Sequence, residues 1–337
     1  MPTYLAQGWL PIDFDMDPEP ALVPGGVVCW REFGQTPLSE PFFRQTIERM
    51  NQLASPPTDI HSSLESMLRI SDGLPAIVPH GFIFHVSHCG STVITNALKR
   101  AADTVVAAEA RPFLVLARHY FSPPTRYLNS RWAERRRRLF ESLFRLYAHY
   151  RTGTAEKLIV KFASSNLFGM KFVREVWPDV PSVLIVRDPA EVLVSSLGEN
   201  GWLSYKNDPL SLRDLYGWIG ESSFFENMPS EEFCARLLGR HLTAALEAVD
   251  DRCKVIDYEN LNRTRISEIA RFFGVELSAA SEELNQVFTI YSKDPTRTLA
   301  FRNDRALKQR MASPAVTAAA RQFAMPAYIE LRGRGAL

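Results

Sequence analysis

Ser87, His88, Cys89, Gly90, Ser91 and Thr92 form a small, polar hexapeptide between the apolar run Phe82 to Val86 and the helix-spaced stretch Val93 to Leu98. The apolar run reads as a buried parallel strand, because no charged residue marks an exposed face. A turn from such a strand into a helix aims backbone N–H groups and a helix N-terminus at one point, and that point binds an anion, most often a phosphate. A nucleotide triphosphatase loop would read G-x-x-x-x-G-K-[ST], its lysine on the β/γ-phosphates. Here Ser91 and Thr92 follow Gly90 with no lysine between, so the loop suits a less charged phosphate terminus than ATP–Mg. A plain strand-to-helix turn capped by Ser91 or Thr92 is the alternative.

A second run, Ser182 to Val186, is followed by Arg187, Asp188 and Pro189. Proline suits the first helical turn, where its missing N–H would be unpaired anyway. Ser195 lies about two turns further on, on the side of the helix entrance. An arginine at a strand end and a hydroxyl on the next helix can grip a second phosphate. The alternative is an Arg187–Asp188 surface pair with Ser195 as filler. Asp103 to Glu109 and Lys157 to Phe162 read as two further strands, ending in Glu109 and Lys161 at the sheet edge where ligands collect in an open α/β fold. A carboxylate there can take a proton if burial raises its pKa; a Glu109–Arg111 surface pair and a solvated Lys161 are the rival readings. His85, inside the first strand, reads as a core histidine.

On these residues the chain resembles the sulfotransferases that use 3′-phosphoadenosine 5′-phosphosulfate (PAPS). Ser87 to Thr92 looks like their 5′-phosphosulfate loop, commonly P-K-S-G-T-T or S-R-C-G-S-T. Val186 to Ser195 looks like their 3′-phosphate motif, R-[ND]-P-x-x-x-x-x-S, and Val255 to Leu261 is similar to their "YEDL" segment. The likeness covers roughly Phe82 to Gly274. It implies a P-loop NTPase-like, three-layer α/β/α fold with a mainly parallel central sheet. It implies that Ser87, His88, Cys89, Gly90, Ser91 and Thr92 hold the 5′-phosphosulfate and that Arg187 and Ser195 hold the 3′-phosphate. Several carbohydrate-acting members place a catalytic glutamate where Glu109 stands, and many have a basic residue at Lys161. A late basic segment closes over the nucleotide in related enzymes, which makes Lys293, Arg297 and Arg302 candidates. One departure stands out: the family's lysine or arginine falls at His88, only partly charged near neutral pH unless its surroundings raise its pKa.

The implied reaction is sulfuryl transfer from PAPS to a hydroxyl, or secondly an amine, of a small molecule, carbohydrate or peptide, releasing 3′-phosphoadenosine 5′-phosphate. Like phosphoryl transfer it depends on positioning and electrostatics, and no metal is expected. The seven histidines include no H-x-x-x-H or H-E-x-x-H pair. Two rivals are a nucleotide-dependent kinase using Asp188 to hold magnesium, and a nucleotide-binding or interaction protein that kept the fold and lost transfer.

Positioning these groups requires five strands, near Phe82, Thr104, Leu158, Val183 and Lys254, alternating with helices. Residues 1–80 are proline-rich and read as an appendage wrapped on an α/β domain of residues 81–337, with a helix from about Pro41 to Leu53 capped by Ser39. Arg131 to Tyr147 is an amphipathic helix with Leu139, Leu143, Leu146 and Tyr147 in one stripe and Arg135 to Arg138 on a solvated face. Glu231 to Val249 is a second long helix. Tyr120 to Trp132 and Trp202 to Phe225, both aromatic-rich, are candidate acceptor walls. Across 337 residues, 39 Lys and Arg nearly balance 38 Asp and Glu, which speaks against a general nucleic-acid binder. Four cysteines without C-x-x-C spacing fit a reducing compartment. No signal peptide or membrane-spanning run is apparent. A cytoplasmic protein with no membrane or nucleic-acid partner is therefore expected; oligomeric state is not legible.

Overall fold

The computed structural model describes residues 8–16, 26–121, 130–150, 157–198, 202–206, 208, 212 and 223–334. A three-stranded antiparallel sheet comes first: β1 (Trp9–Met16), β2 (Gly26–Glu32) and β3 (Ile60–Ser63), with α1 (Phe43–Asn51) and α2 (Leu64–Asp72) around it. Pro11 lies in the edge strand β1, at the shift of register between Pro11 and Asp13, where a missing N–H does least harm. Helix α1 is preceded by Phe42 rather than by the expected cap Ser39.

The main sheet follows: β4 (Gly81–His85), α3 (Ser91–Leu98), β5 (Thr104–Ala108), α4 (Arg111–Phe121), α5 (Ser130–His149), β6 (Lys157–Lys161), α6 (Met170–Val176), β7 (Ser182–Val186), α7 (Pro189–Ser196), α8 (Ser223–Glu226), α9 (Ser230–Leu246) and β8 (Cys253–Asp257). Beyond it lie α10 (Arg263–Phe272), α11 (Glu282–Thr289), α12 (Arg305–Met311), α13 (Pro314–Phe323) and α14 (Met325–Gly333). The five strands pair in the order β5-β6-β4-β7-β8 and every pairing is parallel. The expected fold class, a parallel central sheet between helical layers, is the observed one. β4, β5 and β7 are buried at every position, which is why they read as unbroken apolar runs rather than alternating ones.

The chain leaves β4 for the far edge at β5, returns to β6, then crosses to β7. Connections therefore diverge from the C-terminal ends of β4 and β7, the place where open α/β sheets hold ligands. The core is aromatic on one face: the rings of Phe84 and Phe162 stack at 4.9 Å, and Phe144 meets Trp177 edge-on at 5.0 Å. Helix α5 lays its predicted stripe into this core, with Leu139, Leu143, Leu146 and Tyr147 fully buried. Its arginines are the expected solvated face only in part: Arg137 and Arg138 are exposed, Arg135 is half-buried and Arg136 turns inward. Arg136 is buried with its guanidinium 3.2 Å from the centroid of Phe172, and Arg135 and Arg138 pair with Glu65 and Asp72 of α2. They fasten the helix to the N-terminal elements. Tyr147 adds a hydrogen bond of 2.9 Å to the Pro11 carbonyl, so residues 8–80 share one hydrophobic core with the parallel sheet. No helix among the described residues is long and apolar enough to cross a membrane.

Candidate active site

The loop after β4 is held in a conformation that ordinary residues avoid. Ser87 and His88 have φ of 70° and 49°, and Gly90 follows at 79°. Successive left-handed residues curl the backbone so that its N–H groups converge, an anion-binding nest. Among the described residues the only other non-glycine positions with positive φ are Glu109, at 54°, and Arg297, at 58°. Strain of this kind costs roughly 1–3 kcal/mol per residue and concentrates at ligand sites. Helix α3 opens on Gly90 with no side chain capping it, whereas Asp188 caps α7 by accepting from the N–H groups of Ala190 and Glu191. The loop's helix thus leaves its positive end free, as an incoming anion requires.

Gly90 cannot be replaced cheaply. A Cβ there would stand 2.8 Å from Leu261 Cδ2 and 2.9 Å from Tyr258 Cδ2, besides the positive φ. Gly90→Ala is expected to destabilise the chain by about 1–3 kcal/mol in denaturant titrations and to lose anion binding. Wild-type stability with wild-type binding in that variant would show that the loop geometry is unimportant.

A cavity of about 190 Å³ opens over the loop. Cys89, Ser91 and Thr92 are buried in its floor. On one wall the ends of β4, β5 and β6 bring His85, Glu109 and Lys161 together. Lys161 Nζ lies 2.6 Å from Glu109 Oε1 and 3.4 Å from Thr92 Oγ1, and His85 Nε2 lies 3.2 Å from the same glutamate oxygen. The geometry to His85 is that of an ion pair rather than of an aligned hydrogen bond, since Nε2 meets no angular criterion for one. Lys161 is 1% exposed, so it is no snorkelling lysine, and Arg111 pairs with Asp13 at 2.7 Å rather than with Glu109.

The electrostatics reverse one expectation. Burial alone would raise the Glu109 carboxyl, but the Lys161 charge and the His85 contact outweigh it and hold the group well below the usual carboxylate range. His85 moves the other way: burial and Lys161 lower it, while its contact with Cys89 and the nearby Glu109 carboxylate leave it raised. Burial disfavours the Cys89 thiolate, yet the hydrogen bond and charge of His85, with the Ser91 N–H, bring the thiol below its ordinary value. His88 is pushed down to about 3, first by burial and then by the charges of Lys293, Lys308 and Arg187. It is therefore a neutral imidazole, and the cation expected at this loop position is missing there.

Cations arrive instead from the chain's last third. Lys293, Arg302 and Lys308 line the cavity, along with Tyr258 and Asp304. Lys293 is half-buried, and its ammonium has no hydrogen bond or ion pair among the described residues. Arg187 stands at the β7 end, 3% exposed, with its guanidinium 4.1 Å from the Tyr258 ring centroid. Each of its three nitrogens makes one hydrogen bond: to Glu191 Oε2 at 2.7 Å, the His88 carbonyl at 2.9 Å and Asp304 Oδ1 at 2.8 Å, which leaves a second N–H on each terminal nitrogen.

No protein-family model and no curated protein matches this chain. Solved structures similar to it include sulfotransferases. One, from Alicyclobacillus acidocaldarius, is 15% identical over 74% of this chain and 96% of its own, with a TM-score of 0.36. The sulfotransferase domain from the curacin biosynthetic pathway is 12% identical, over 74% of this chain and 98% of its own, with a TM-score of 0.42. Sulfotransferase STF1 from Mycobacterium tuberculosis H37Rv is 14% identical, over 76% and 81%, with a TM-score of 0.39. Overlays this loose carry no argument about chemistry, which rests on the geometry above.

Of the residues expected to meet a donor, Ser87, His88, Cys89, Gly90, Ser91, Thr92, Glu109, Lys161, Arg187, Lys293 and Arg302 all line the one cavity. Two do not. Ser195 donates its hydroxyl to the Glu191 carbonyl at 3.2 Å, a bond one helical turn back, and does not line the cavity. Arg297 lines a neighbouring cavity instead. Asp188, the kinase alternative's metal carboxylate, is a helix cap outside the cavity. Tyr258, Asp304, Lys308 and Phe42 join the site without having been singled out, and His85, read as a core histidine, lines it too. Position alone could have flagged His85 and Tyr258, at or just past the ends of β4 and β8; Phe42 carries no sequence signal. The candidate acceptor walls fall largely outside the described residues: 122–129, 207, 209–211 and 213–222 are not described, nor are the side chains of 117–133. Of the aromatic residues named there, Phe224 and Phe225 line a separate cavity.

Proposed function

We propose that this protein transfers the sulfuryl group of 3′-phosphoadenosine 5′-phosphosulfate to a hydroxyl of its acceptor. The carrying observation is a loop with an uncapped helix end and no loop lysine, faced by an unpartnered Lys293 ammonium on one side and the Lys161–Glu109 pair on the other. The residues fit the phosphosulfate end of the donor: nest N–H groups, the Ser91 and Thr92 hydroxyls, and half-buried cations in place of a metal. Arg187, Arg302 and Lys308 are the cations for the 3′-phosphate.

The donor supplies an activated sulfuryl group. In the transfer one S–O bond forms to the acceptor oxygen as the S–O bond to phosphate breaks, and the hydroxyl proton goes to Glu109. Lys161 lies between Glu109 and Thr92, so an anion in the loop competes for its ammonium. Drawing Lys161 off the carboxylate restores basicity to Glu109, which couples proton acceptance to donor binding. Cationic Lys293 counters the negative charge developing on the leaving oxygen, a task neutral His88 cannot perform by charge. At about 190 Å³ the cavity is below the ~300–1,000 Å³ of small-molecule pockets. It accommodates the phosphosulfate end; a whole nucleotide requires the segment carrying Asp304 to give up Arg187.

Calorimetric titration with 3′-phosphoadenosine 5′-phosphate, beside ADP and ATP with and without magnesium, tests this reading. Metal-independent binding that prefers the 3′-phosphate is expected, weakened at least tenfold in Arg187→Ala, as loss of charge-assisted bonds worth about 1.5–3 kcal/mol implies. Magnesium-dependent ATP binding without that preference would overturn the proposal in favour of a kinase, and no nucleotide binding would favour a non-catalytic protein.

A further inference from the structure

A second cavity, of about 150 Å³, adjoins the first, and Tyr291 and Ser292 line both. That is about five times the ~30 Å³ a water occupies in the liquid. It is room for one phosphate-, sulfate- or carboxylate-sized group and not for a nucleoside. Its cations are Lys99, Arg100 and Arg297. Little in the protein neutralises them. Asp294 is nearby, but its two oxygens accept from the N–H groups of Thr296, Thr298 and Leu299 and from the Thr296 hydroxyl. Glu40 gives only its backbone carbonyl to Lys99, and its carboxylate pairs with Arg49 at 2.9 Å. The Arg100 guanidinium has no hydrogen bond or ion pair among the described residues, and that of Arg297 makes only a 3.4 Å contact to the Ser39 carbonyl.

A second, independent observation points to a ligand. Asn96, on the wall between the cavities, donates its Nδ2 to the Ser292 carbonyl at 2.8 Å, while its Oδ1 is buried without a partner. An unmet acceptor beside unmet cations suits a ligand in which a hydroxyl lies next to an anionic group. The cluster also lies on the acceptor's side of the site. Lys99 is near enough to Lys161 and Glu109 to feel both charges, and burial followed by Lys161 lowers its pKa to about 7.

We propose that the Lys99–Arg100–Arg297 cavity is the subsite for an anionic group on the acceptor, so that the substrate is a hydroxyl compound that already carries a phosphate, sulfate or carboxylate. This rests on the sulfuryl-transfer reading. The anion anchors the acceptor beyond Tyr291 and Ser292, its neighbouring hydroxyl donates to Asn96 Oδ1, and a further hydroxyl reaches Glu109.

The test is calorimetric titration of the full chain, loaded with 3′-phosphoadenosine 5′-phosphate, using glycerol 3-phosphate, glycerate and glycerol. Wild type is run beside Arg100→Ala and Arg297→Ala, both exposed positions outside the first cavity. Expected is binding of at least one anion tenfold or more tighter than glycerol, and a further tenfold weakening in each variant with nucleotide affinity within twofold of wild type. Which anion wins distinguishes a phosphate from a carboxylate source. Anions no tighter than glycerol, or affinity unchanged in both variants, would overturn the proposal. Failure of the donor reading looks different: no protein binds the nucleotide. The same titrations on the nucleotide-free chain then still decide the subsite through the variants.

Discussion

Glu109→Gln is expected to lower kcat by about 10²–10⁴-fold, the usual contribution of a positioned general base, with affinity for 3′-phosphoadenosine 5′-phosphate unchanged or tighter, because the Lys161 ammonium is released toward the loop. The split follows from where Glu109 stands. Its N–H donates to the Lys161 carbonyl and its φ of 54° turns the side chain off the end of β5 toward the loop. It touches Lys161 and His85 but none of the cations assigned to the nucleotide's 3′-phosphate. Steady-state assays with any acceptor that supports turnover, or slow transfer to water without one, read the first number. Calorimetry reads the second. A fall of less than threefold in kcat would remove Glu109 from the chemistry.

The same substitution carries a stability signature. Lys161 is almost fully buried, and removing the partner of a buried charge costs about 3–5 kcal/mol in general. Glutamine still offers an amide oxygen, so a loss at or below the lower end is expected. The pH dependence has a definite sign. Glu109 has its folded pKa depressed, so its contribution is fully present above its unfolded value near 4.3 and is lost as pH falls through the lower folded value. Wild type and Glu109→Gln should therefore keep a gap in unfolding free energy above about pH 5, narrowing as pH rises through the raised pKa of His85, which Glu109 helps to set, and should converge in stronger acid. A gap that widened below about pH 4 would mean the carboxyl is not held in its ionised form.

The parts of this site visible in the sequence share one property: they are local. The strand, loop and helix of Phe82 to Leu98 are contiguous, and the apolar strands announce themselves because both faces are buried. What stayed hidden depends on distant segments meeting. Asp304 reaches Arg187 from 117 residues away, and Lys99 meets the Glu40 carbonyl 59 residues away. No periodicity encodes such pairs. His85 is buried, as its place in the strand suggests, but a strand's last residue also meets the cavity wall once the chain turns away, and that second part is not legible from the strand alone. The N-terminal sheet was hidden for another reason. Its strands are short, one contains a proline, and antiparallel pairing between Trp9–Met16 and Gly26–Glu32 leaves no long alternating run. Ser195 failed in the opposite sense. Helical spacing put it on the right side of α7, but a serine inside a helix can turn back to the carbonyl one turn earlier, and this one does.

Lys293→Met should lower kcat by about 10²–10³-fold, the loss usual when one donor to a developing oxyanion is removed, because the loop offers no cation of its own. His88 sits where related loops carry lysine or arginine, and its depressed pKa of about 3 keeps it neutral at any working pH. The depression has a cause that itself argues for the exchange. After burial, the largest influence on His88 is Lys293, so the two compete for one electrostatic role and only one of them is charged. Lys293 comes from the segment that also contributes Tyr291 and Ser292 to the wall, and its backbone carbonyl is tied to Gln45 at 3.1 Å, which fixes the origin of the side chain. Its own pKa is lowered, by burial first and by Lys161 next. A lysine with a lowered pKa loses its charge earlier as pH rises, so the alkaline fall in kcat/KM should begin below the ~10.4 of an ordinary lysine. Lys293→Arg, which stays charged, should move that limb upward. The double variant Lys293→Met/His88→Arg should recover at least tenfold over Lys293→Met alone, since it returns a cation to the loop. Recovery in the double variant with an unshifted alkaline limb in Lys293→Arg would place the charge requirement at the loop but assign the titration to another group. No recovery, together with a loss of less than threefold in Lys293→Met, would mean that Lys161 alone carries the leaving oxygen's charge.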